Sequence, residues 1–394
     1  AIRRQRQMCI RDRMVSLPKF ISFWKMRASF AEVGGPINYT GLTPGTVTDP
    51  MKGGVINPIS VYPFPNFKAE QTKSYELGTN LRLFNNKINI DATVYLTDTY
   101  NQTFLSSMSP ASGYSGFYVQ AGKVRNKGIE LSLGYNDRFG KVGYATNLTY
   151  TANRNKIMKM VHDYKNPSDG SLFSITELTL QDKGGVYLRE KDAIGDVYVK
   201  GILARGKDGK LIEEEGGYKV DRSQRIKIGS VNPDFSIGWR HNVTWNNITL
   251  DLLFNGRFGG IVTSSTQAFL DDYGVSKDTY KARQNGGVWV NGTQYDAEKY
   301  YTTIGGEQLM AYYAYKATNI RLQEASLSYT LPGKWFGNVI NRLTVSAIGR
   351  NLWMIYNKAP FDPEMTSSTG TYNRGDVFMP PSLRSVGFSV KIEL

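Results

Sequence analysis

Residues 75–95 read Tyr75-Glu76-Leu77-Gly78-Thr79-Asn80-Leu81-Arg82-Leu83, then Phe84-Asn85-Asn86-Lys87, then Ile88-Asn89-Ile90-Asp91-Ala92-Thr93-Val94-Tyr95. On both sides of the central four residues, apolar and polar side chains alternate with a period of two. That period is typical of a β-strand with one apolar and one polar face. The stretch therefore predicts two antiparallel strands, Tyr75–Leu83 and Lys87–Tyr95, joined by a short turn.

The same alternation recurs along the whole chain. About ten segments show it, each near the length that spans a bilayer when the strand is tilted. In the eighth segment the phase slips at Gln323-Glu324, which predicts a β-bulge. The segments are Trp24–Phe30, Tyr75–Leu83, Lys87–Tyr95, Ile129–Asn136, Tyr144–Tyr150, Phe235–Trp245, Ile248–Phe258, Ile320–Leu331, Leu343–Trp353 and Val386–Leu394.

The connectors between these segments come in two sizes that alternate. Short ones are Phe84–Lys87, Asn136–Lys141 and Trp245–Asn247, whereas long polar ones are Gly34–Thr72, Arg154–Pro233, Gly259–Lys316 and Ile355–Leu383. Outer-membrane barrels have short periplasmic turns and long extracellular loops. The sequence therefore predicts an all-β protein, an antiparallel transmembrane β-barrel of about ten strands with short periplasmic turns and long extracellular loops.

The polar faces carry charges in the middle of strands. Burying such charges in a dry core costs several kcal/mol each unless they are paired, whereas the wet lumen of a wide barrel tolerates them. A solvated outer face of an ordinary antiparallel sheet is the alternative. The charged residues are Arg82, Asp91, Glu130, Arg240, Asp251, Arg257 and Arg350.

Composition excludes several classes of protein. No run approaches the ~20 apolar residues of a spanning helix, and the mean hydropathy is -0.38. The net charge of +14 is spread along the chain, so we expect no nucleic-acid partner. Cys9 is the one cysteine, which excludes a disulfide framework. It lies in residues 1–13, which we expect to be a non-native or disordered lead before the barrel portion at 14–394.

Signals of catalysis are weak, so we expect no enzyme, no cofactor and no metal site. His162 and His241 have no ligand-type neighbours at helical spacing, and structural roles suit both. Asp208-Gly209 beside Glu213-Glu214-Glu215 predicts a solvated hairpin tip, with calcium binding as the alternative.

The connector Gly259–Lys316 is rich in aromatic side chains interleaved with Asn, Gln and Asp. Aromatic faces with polar neighbours suit sugar rings and peptides. A core in which the loop packs on itself or on a partner protein is an equal alternative. The aromatic residues are Phe269, Tyr273, Tyr280, Trp289, Tyr295, Tyr300, Tyr301, Tyr312, Tyr313 and Tyr315.

The last residues form an amphipathic strand that alternates to the end. Gly387 precedes Phe388, Val390, Ile392 and Leu394. The pattern is similar to the signal by which the outer-membrane assembly machinery recognises barrel proteins, although Leu394 replaces the usual terminal aromatic. An ordinary last strand is the alternative.

Ten short stretches are spread in order over about 370 residues. They are Lys25-Met26-Arg27-Ala28-Ser29-Phe30, Lys73-Ser74-Tyr75-Glu76-Leu77-Gly78, Ser112-Gly113-Tyr114, Asn126-Lys127-Gly128-Ile129-Glu130-Leu131, Gly229-Ser230-Val231-Asn232-Pro233-Asp234-Phe235, Asn255-Gly256-Arg257-Phe258-Gly259-Gly260, Ile320-Arg321-Leu322-Gln323-Glu324, Gly349-Arg350-Asn351-Leu352, Asp362-Pro363-Glu364 and Pro380-Pro381-Ser382-Leu383-Arg384. Together they resemble one family, the SusC/RagA-type TonB-linked outer-membrane transporters of Bacteroidetes-type bacteria.

The resemblance implies a plugged barrel of about twenty-two strands, of which this chain supplies roughly the last ten, the plug and early strands being absent. It implies import energised by the TonB complex through the missing N-terminal part, contact with outer-membrane lipid, a SusD-like surface lipoprotein, and oligosaccharide or peptide cargo. A passive porin or surface adhesin, and less so a secreted carbohydrate-binding β protein, are the alternatives.

Overall fold

The computed structural model describes residues 17–35, 61–62, 68–107, 109, 111, 114, 116–165, 170–180, 186–337, 339–367 and 375–393. The expected lead at residues 1–13 lies outside the described residues, as do Ser112, Gly113 and Leu394.

Ten long strands form one antiparallel sheet in which each strand pairs with its neighbour in this series. All ten predicted strands are confirmed. They are β1 (Ile21–Gly34), β2 (Gln71–Leu83), β3 (Ile88–Tyr100), β4 (Lys123–Phe139), β5 (Val142–Lys159), β6 (Phe235–Trp245), β7 (Ile248–Phe258), β8 (Asn319–Pro332), β9 (Arg342–Asn357) and β10 (Ser385–Glu393). The sheet is open, with β1 and β10 at its edges.

The pairing register sorts the alternating side chains into continuous rows. One row runs across nine strands through Trp24, Leu81, Ile90, Leu133, Leu148, Trp239, Phe254, Leu322 and Trp353. The neighbouring row on the other face runs through Lys25, Asn80, Asp91, Ser132, Thr149, Gly238, Asn255 and Arg321. A one-residue slip in any pair would mix the two rows.

No second sheet formed by the described residues packs against the apolar face of the sheet. Leu327 is 55% exposed and Phe388 is 83% exposed, which suits contact with lipid. On the polar face, Arg240 pairs with Asp251 at 2.9 Å, and Arg350 pairs with Glu324 at 2.9 Å. The predicted all-β class and the antiparallel arrangement of about ten long strands are confirmed.

The turns at one end of the sheet are short because asparagine and glycine adopt left-handed backbone there. Asn85 and Asn86 have φ of 56° and 65°, Gly140 has 59° and Asn246 has 50°, values that Asn and Gly tolerate best. The long connectors lie at the other end of the sheet. One of them, between β3 and β4, was not predicted from the sequence.

The predicted bulge is present on β8. Against β7, Leu322 and Glu324 pair with the consecutive residues Phe254 and Leu253, so Gln323 is the extra residue there. Against β9 they pair with Trp353 and Arg350, so the extra residue of that pair lies on β9. Gln323 Nε2 donates a hydrogen bond to Asn351 Oδ1 across the pair at 2.9 Å. A side-chain hydrogen bond between Gln323 and Asn351 therefore links the two strands where the backbone ladder is interrupted.

The described parts of the long connectors are folded into regular elements. They contain three helices, α1 (Ser265–Asp272), α2 (Lys277–Gln284) and α3 (Ala297–Gly306), each with a side-chain N-cap. They also contain the short strands Val61–Tyr62, Gln102–Ser107, Gly116–Ala121, Val161–Lys165, Leu172–Ile175, Glu177–Leu180, Val186–Arg189, Asp196–Leu203, Glu213–Glu214, Gly217–Tyr218, Val220–Ser230, Ile261–Ser264, Val288–Val290, Thr293–Tyr295, Ala314–Lys316 and Gly375–Asp376. None of the helices in the described part of the chain has the length and apolarity to cross a membrane.

Candidate functional sites at the extracellular end

A buried ion pair ties a long connector to the sheet near the extracellular end of β8. Arg321 lies on the polar face, and its Nη2 donates to Asp362 Oδ1 at 2.9 Å. The two side chains are 5% and 7% exposed. Glu364 Oε2 lies 3.3 Å from the same nitrogen, and the Ser382 hydroxyl donates to Asp362. The described parts of this connector, residues 358–367 and 375–384, are thereby held against the polar face of the sheet.

The electrostatics of this cluster favour the charged carboxylate. Burial acts to raise the pKa of Asp362, but hydrogen bonds from Ser382 and Arg321 outweigh burial, and the pKa lies below its ordinary value. Arg321 is also satisfied on its other side, where Asn319 Oδ1 accepts from Nε at 3.3 Å. A buried charge pair with such hydrogen bonds is rigid and costly to break.

Four of the stretches that carry the resemblance meet at this cluster. Arg321 and Gln323 belong to one, Asn351 to the next, and Asp362 and Ser382 to the last two. Asn351 Nδ2 donates to the Leu383 carbonyl at 3.1 Å. The convergence of these stretches is not visible in the sequence, because Arg321 and Asp362 lie 41 residues apart.

The aromatic residues of the connector 259–316 fall into two groups. Tyr295, Tyr300 and Tyr313 are buried in a hydrophobic cluster together with Leu203, Leu211, Tyr218, Ala268, Ile304 and Leu309. Tyr313 is 1% exposed. These tyrosines therefore form part of a core in which the connector packs on itself. Burial raises the pKa of Tyr300 to about 12. The spacing of Tyr300 and Ile304, four residues apart, is the helical signal that could have identified them.

Other aromatic residues of the same region stay at the surface. Phe269 lies on α1, and Tyr273 follows its last residue as the C-cap. Phe378 stacks on Phe269 with 5.4 Å between ring centroids. The Phe378 N–H donates to Thr266 Oγ1 at 2.6 Å, which fixes the second segment against the helix. We call Phe269, Tyr273 and Phe378 the aromatic patch. Tyr273 is 76% exposed, so the patch is available for contact with another molecule.

Asp271 is a second buried carboxylate, but its environment raises its pKa instead of lowering it. It lies on α1, is 4% exposed and accepts from Gln267 Nε2 at 2.9 Å. Burial raises the pKa of Asp271, and hydrogen bonds from Ser276 and Gln267 offset this only in part. In contrast to Asp362, Asp271 has no cationic neighbour among the described residues that lowers its pKa.

A polar cleft of about 600 Å³ opens at the extracellular rim between β5 and the ends of β7 and β8. We call it the rim cleft. Its lining residues are Asn153, Arg154, Asn155, Ala193, Asp196, Gly229, Ser230, Asn232, Asp234, Gly259, Gly260, Ile261, Lys316 and Thr318. Two of the stretches that carry the resemblance, 229–235 and 255–260, therefore form much of its wall.

The histidines make structural contacts. His162 Nε2 lies 2.6 Å from Glu190 Oε2, and His241 Nδ1 lies 2.9 Å from the Tyr144 hydroxyl. Asp208-Gly209 lies in a turn in which the Gly209 N–H donates to the Gly206 carbonyl at 3.0 Å. Glu213–Glu214 forms a separate hairpin with Gly217–Tyr218. Within the described residues, no three acidic, His or Cys side chains form a group that could hold a metal ion.

The residues of the predicted assembly signal lie on the edge strand β10. Phe388, Val390 and Ile392 share the apolar face and pair with Ala347, Val345 and Leu343. Gly387 pairs with Ile348 on the other face. Leu394 lies outside the described residues, and a role in assembly stays a prediction.

A family model described as "TonB dependent receptor-like, beta-barrel" matches residues 15–250. The chain belongs to the TonB-dependent receptor family. This receptor chain is accordingly an outer-membrane protein, and its family is one of receptors and transporters rather than of enzymes. Two receptors of Formosa agariphila are similar to it. TonB-dependent receptor P3 is 25% identical over 373 residues, covering 87% of this chain and 36% of the relative. TonB-dependent receptor P39 is 22% identical over 415 residues, covering 92% and 38%.

Solved structures share the fold of this TonB-dependent receptor chain. The RagAB peptide importer in the "closed-closed" state matches with a TM-score of 0.70 at 19% identity, covering 95% of this chain and 41% of that one. The RagAB peptide transporter matches with a TM-score of 0.68 at 18% identity, covering 96% and 42%. The predicted SusC/RagA-type resemblance is thereby confirmed. The chain spans less than two fifths of the length of the curated relatives named above.

Proposed function

We propose that this chain is part of a TonB-dependent importer that takes up oligosaccharides or peptides with the help of a SusD-like surface lipoprotein. The observation that carries the proposal is the folded extracellular assembly above the polar face of the sheet. One of its segments is held against that face through Arg321 and Asp362, and the rim cleft opens beside it. Cargo that approaches the polar face therefore meets built surfaces rather than loose loops.

The aromatic patch is the surface that we assign to the lipoprotein. Phe269, Tyr273 and Phe378 are all exposed, and Phe378 is fixed to α1 by its backbone N–H. Rigid exposed aromatic side chains are typical anchors of protein interfaces. The resemblance to SusC/RagA-type transporters supports a lipoprotein as the occupant. We assign contact with the TonB complex to the N-terminal part of the longer protein.

We further propose that Gly387, Phe388, Val390, Ile392 and Leu394 act as the signal for outer-membrane assembly. The side chains of Phe388, Val390 and Ile392 form one apolar row on an edge strand, where a free edge can pair with another strand. Replacing Phe388 and Ile392 with serine should reduce the amount of inserted receptor. Replacing Ser389 with alanine, on the opposite face, should leave insertion unchanged; equal insertion by both variants would refute the assignment.

The test must distinguish TonB-dependent import from the alternative, a passive porin or an adhesin. The intact receptor and the lipoprotein encoded beside it are produced in a Bacteroidetes-type host with and without functional TonB. Uptake of fluorescent oligosaccharides and peptides is then measured. We expect at least one class to accumulate only when TonB is functional. Uptake that persists without TonB would indicate a passive pore and contradict the proposal, as would no uptake of either class.

A further inference from the structure

The rim cleft exists because β5 continues beyond the end of β6. The last pair between them is Thr151 with Ser236, whereas β5 stays paired with β4 as far as Lys159. Consecutive residues Asn153, Arg154 and Asn155 all line the cleft. Side chains of successive residues point to opposite faces of a sheet. Three consecutive residues can therefore line one cleft only if the cleft lies along the edge of β5.

Main-chain groups of β5 point into this cleft. The Ile157 N–H donates to the Asp192 carbonyl at 2.8 Å, and the Ile157 carbonyl accepts from the Lys191 N–H at 2.7 Å. Ile157 therefore directs both groups away from β4. Backbone groups alternate in direction along an antiparallel strand, so Asn155 and Asn153 direct theirs to the same side. Among the described residues, no backbone hydrogen bond reaches either residue from this side.

Gly259 and Gly260, both with φ of 77°, line the cleft together with Lys316 and Thr318. A Cβ on either glycine would lie 3.0 Å or less from Asp234 or Asn232, so this wall packs tightly on the segment before β6. Gly259 is anchored, since its N–H donates to Thr318 Oγ1 at 3.0 Å. Charges of both signs line the cleft. Arg154 pairs with Asp234 at 2.7 Å, and Asp196 pairs with Lys227, so most of this charge is already neutralised. The lining therefore suits a ligand without strong net charge.

We propose that the rim cleft binds an extended peptide that adds as a strand to β5 at Asn153 and Asn155. The inference rests on the proposed import function and narrows the cargo to peptides recognised mainly through the main chain. Strand addition supplies hydrogen bonds that do not depend on the peptide's sequence. The amide side chains of Asn153 and Asn232 add donors and acceptors along the wall. The site thus suits an importer of mixed peptides.

The test uses the intact receptor in detergent and a pool of random heptapeptides. Peptides retained by the receptor are quantified by mass spectrometry, in parallel with the same pool N-methylated at every residue and with a mixed oligosaccharide pool. The variant Asn153→Trp fills the cleft. Asn341→Trp, in the exposed turn before β9, is the matched control. We expect methylation or Asn153→Trp to reduce retention by about tenfold or more, because two or more main-chain hydrogen bonds are lost, and Asn341→Trp to have no effect.

Equal retention of the methylated and unmodified pools would overturn strand addition. Unchanged retention of peptides by Asn153→Trp would overturn the location, and retention of the oligosaccharide pool alone would overturn the ligand class. These failures are distinct from failure of the importer proposal. TonB-dependent uptake that continues in Asn153→Trp cells refutes only the cleft, whereas absence of TonB-dependent uptake in the parent refutes the importer.

Discussion

Arg321 and Asp362 lie 41 residues apart in the chain and form a buried ion pair with 2.9 Å between Nη2 and Oδ1. Because Arg321 belongs to β8 and Asp362 to the connector before β10, the pair holds that connector on the polar face of the sheet. Removing one partner of such a pair leaves an uncompensated buried charge, which costs about 3–5 kcal/mol. The described parts of this connector, residues 358–367 and 375–384, thus depend on this contact for their position.

We therefore expect Asp362→Asn to loosen the connector. Hydrogen exchange in residues 358–367 and 375–384 of the intact receptor should accelerate by two or more orders of magnitude if about 3 kcal/mol is lost. The matched control is Glu393→Gln, which breaks the ion pairs of Glu393 with Arg342 at 3.8 Å and with Lys391 at 2.7 Å between solvent-accessible side chains. That change should leave the protection of the connector unchanged, because solvent screens these charges. Equal protection in Asp362→Asn and the parent would show that the ion pair does not hold the connector.

The same pair has a defined pH dependence. The pKa of Asp362 is lowered in the folded protein, so its stabilisation is present above the unfolded value of about 4 and is lost as pH falls through the folded value. Protection of the connector should be constant from about pH 5 to 8 and should fall only in stronger acid. Loss of protection between about pH 5 and 7 would contradict this assignment.

Asp271 should behave in the opposite way. Burial raises its pKa, so the charged form is disfavoured in the fold and stability decreases as pH rises from the unfolded towards the folded value. We expect Asp271→Asn to stabilise the extracellular assembly at pH 8 and to have little effect near pH 3. Thermal unfolding of the assembly at the two pH values measures this. A destabilised variant at pH 8 would show that the carboxylate is needed in its charged form.

Tyr313 should be the most sensitive tyrosine of the connector 259–316. It is 1% exposed and lies in the cluster that joins α1 and α3 to the connector before β6. Tyr313→Ala should cost about 3–5 kcal/mol and increase hydrogen exchange in both helices. Tyr280→Ala, at an exposed position on α2, should change stability by less than about 0.5 kcal/mol. Similar effects of the two variants would contradict the division into core and surface groups.

The sequence predicts the sheet well because each strand meets two different environments, one on each face. Every member of the row from Trp24 to Trp353 is apolar, so the period-two pattern survives in each strand separately. The bulge at Gln323 is visible for the same reason, as a break in phase. The connectors follow other rules. The helical spacing of Tyr300 and Ile304 is local and readable, whereas the partition of the remaining aromatics depends on packing between distant segments.

The cleft and the Arg321 cluster could not be predicted from local pattern. Asp362 and Ser382 lie in polar stretches whose composition fits a solvated loop, and only the fold brings them to Arg321. The free edge at Asn153 and Asn155 depends on β6 ending before β5, which is a property of two strands together. The family resemblance identified these stretches, but it does not predict which of them are in contact.

The aromatic patch makes a prediction about the lipoprotein. Tyr273→Asp and Phe378→Asp in the intact receptor should weaken its binding to the co-expressed lipoprotein by at least about tenfold, because buried aromatic anchors dominate such interfaces. Trp289→Asp, an exposed aromatic outside the patch, should bind as the parent does. Affinities of the purified pair measure the difference. Unchanged binding by both patch variants would place the interface elsewhere.

The central claim is that the apolar rows of the sheet face lipid while the polar rows face the interior of a barrel. Nitroxide labels at Leu327→Cys and Ser326→Cys, neighbours on opposite faces of β8, test it in the intact receptor reconstituted in bilayers and freed of other cysteines. The account predicts frequent collisions of the label at 327 with oxygen dissolved in the lipid and few at 326. A label at 327 as shielded from lipid as its neighbour would mean that the apolar row packs against protein, which would contradict the account.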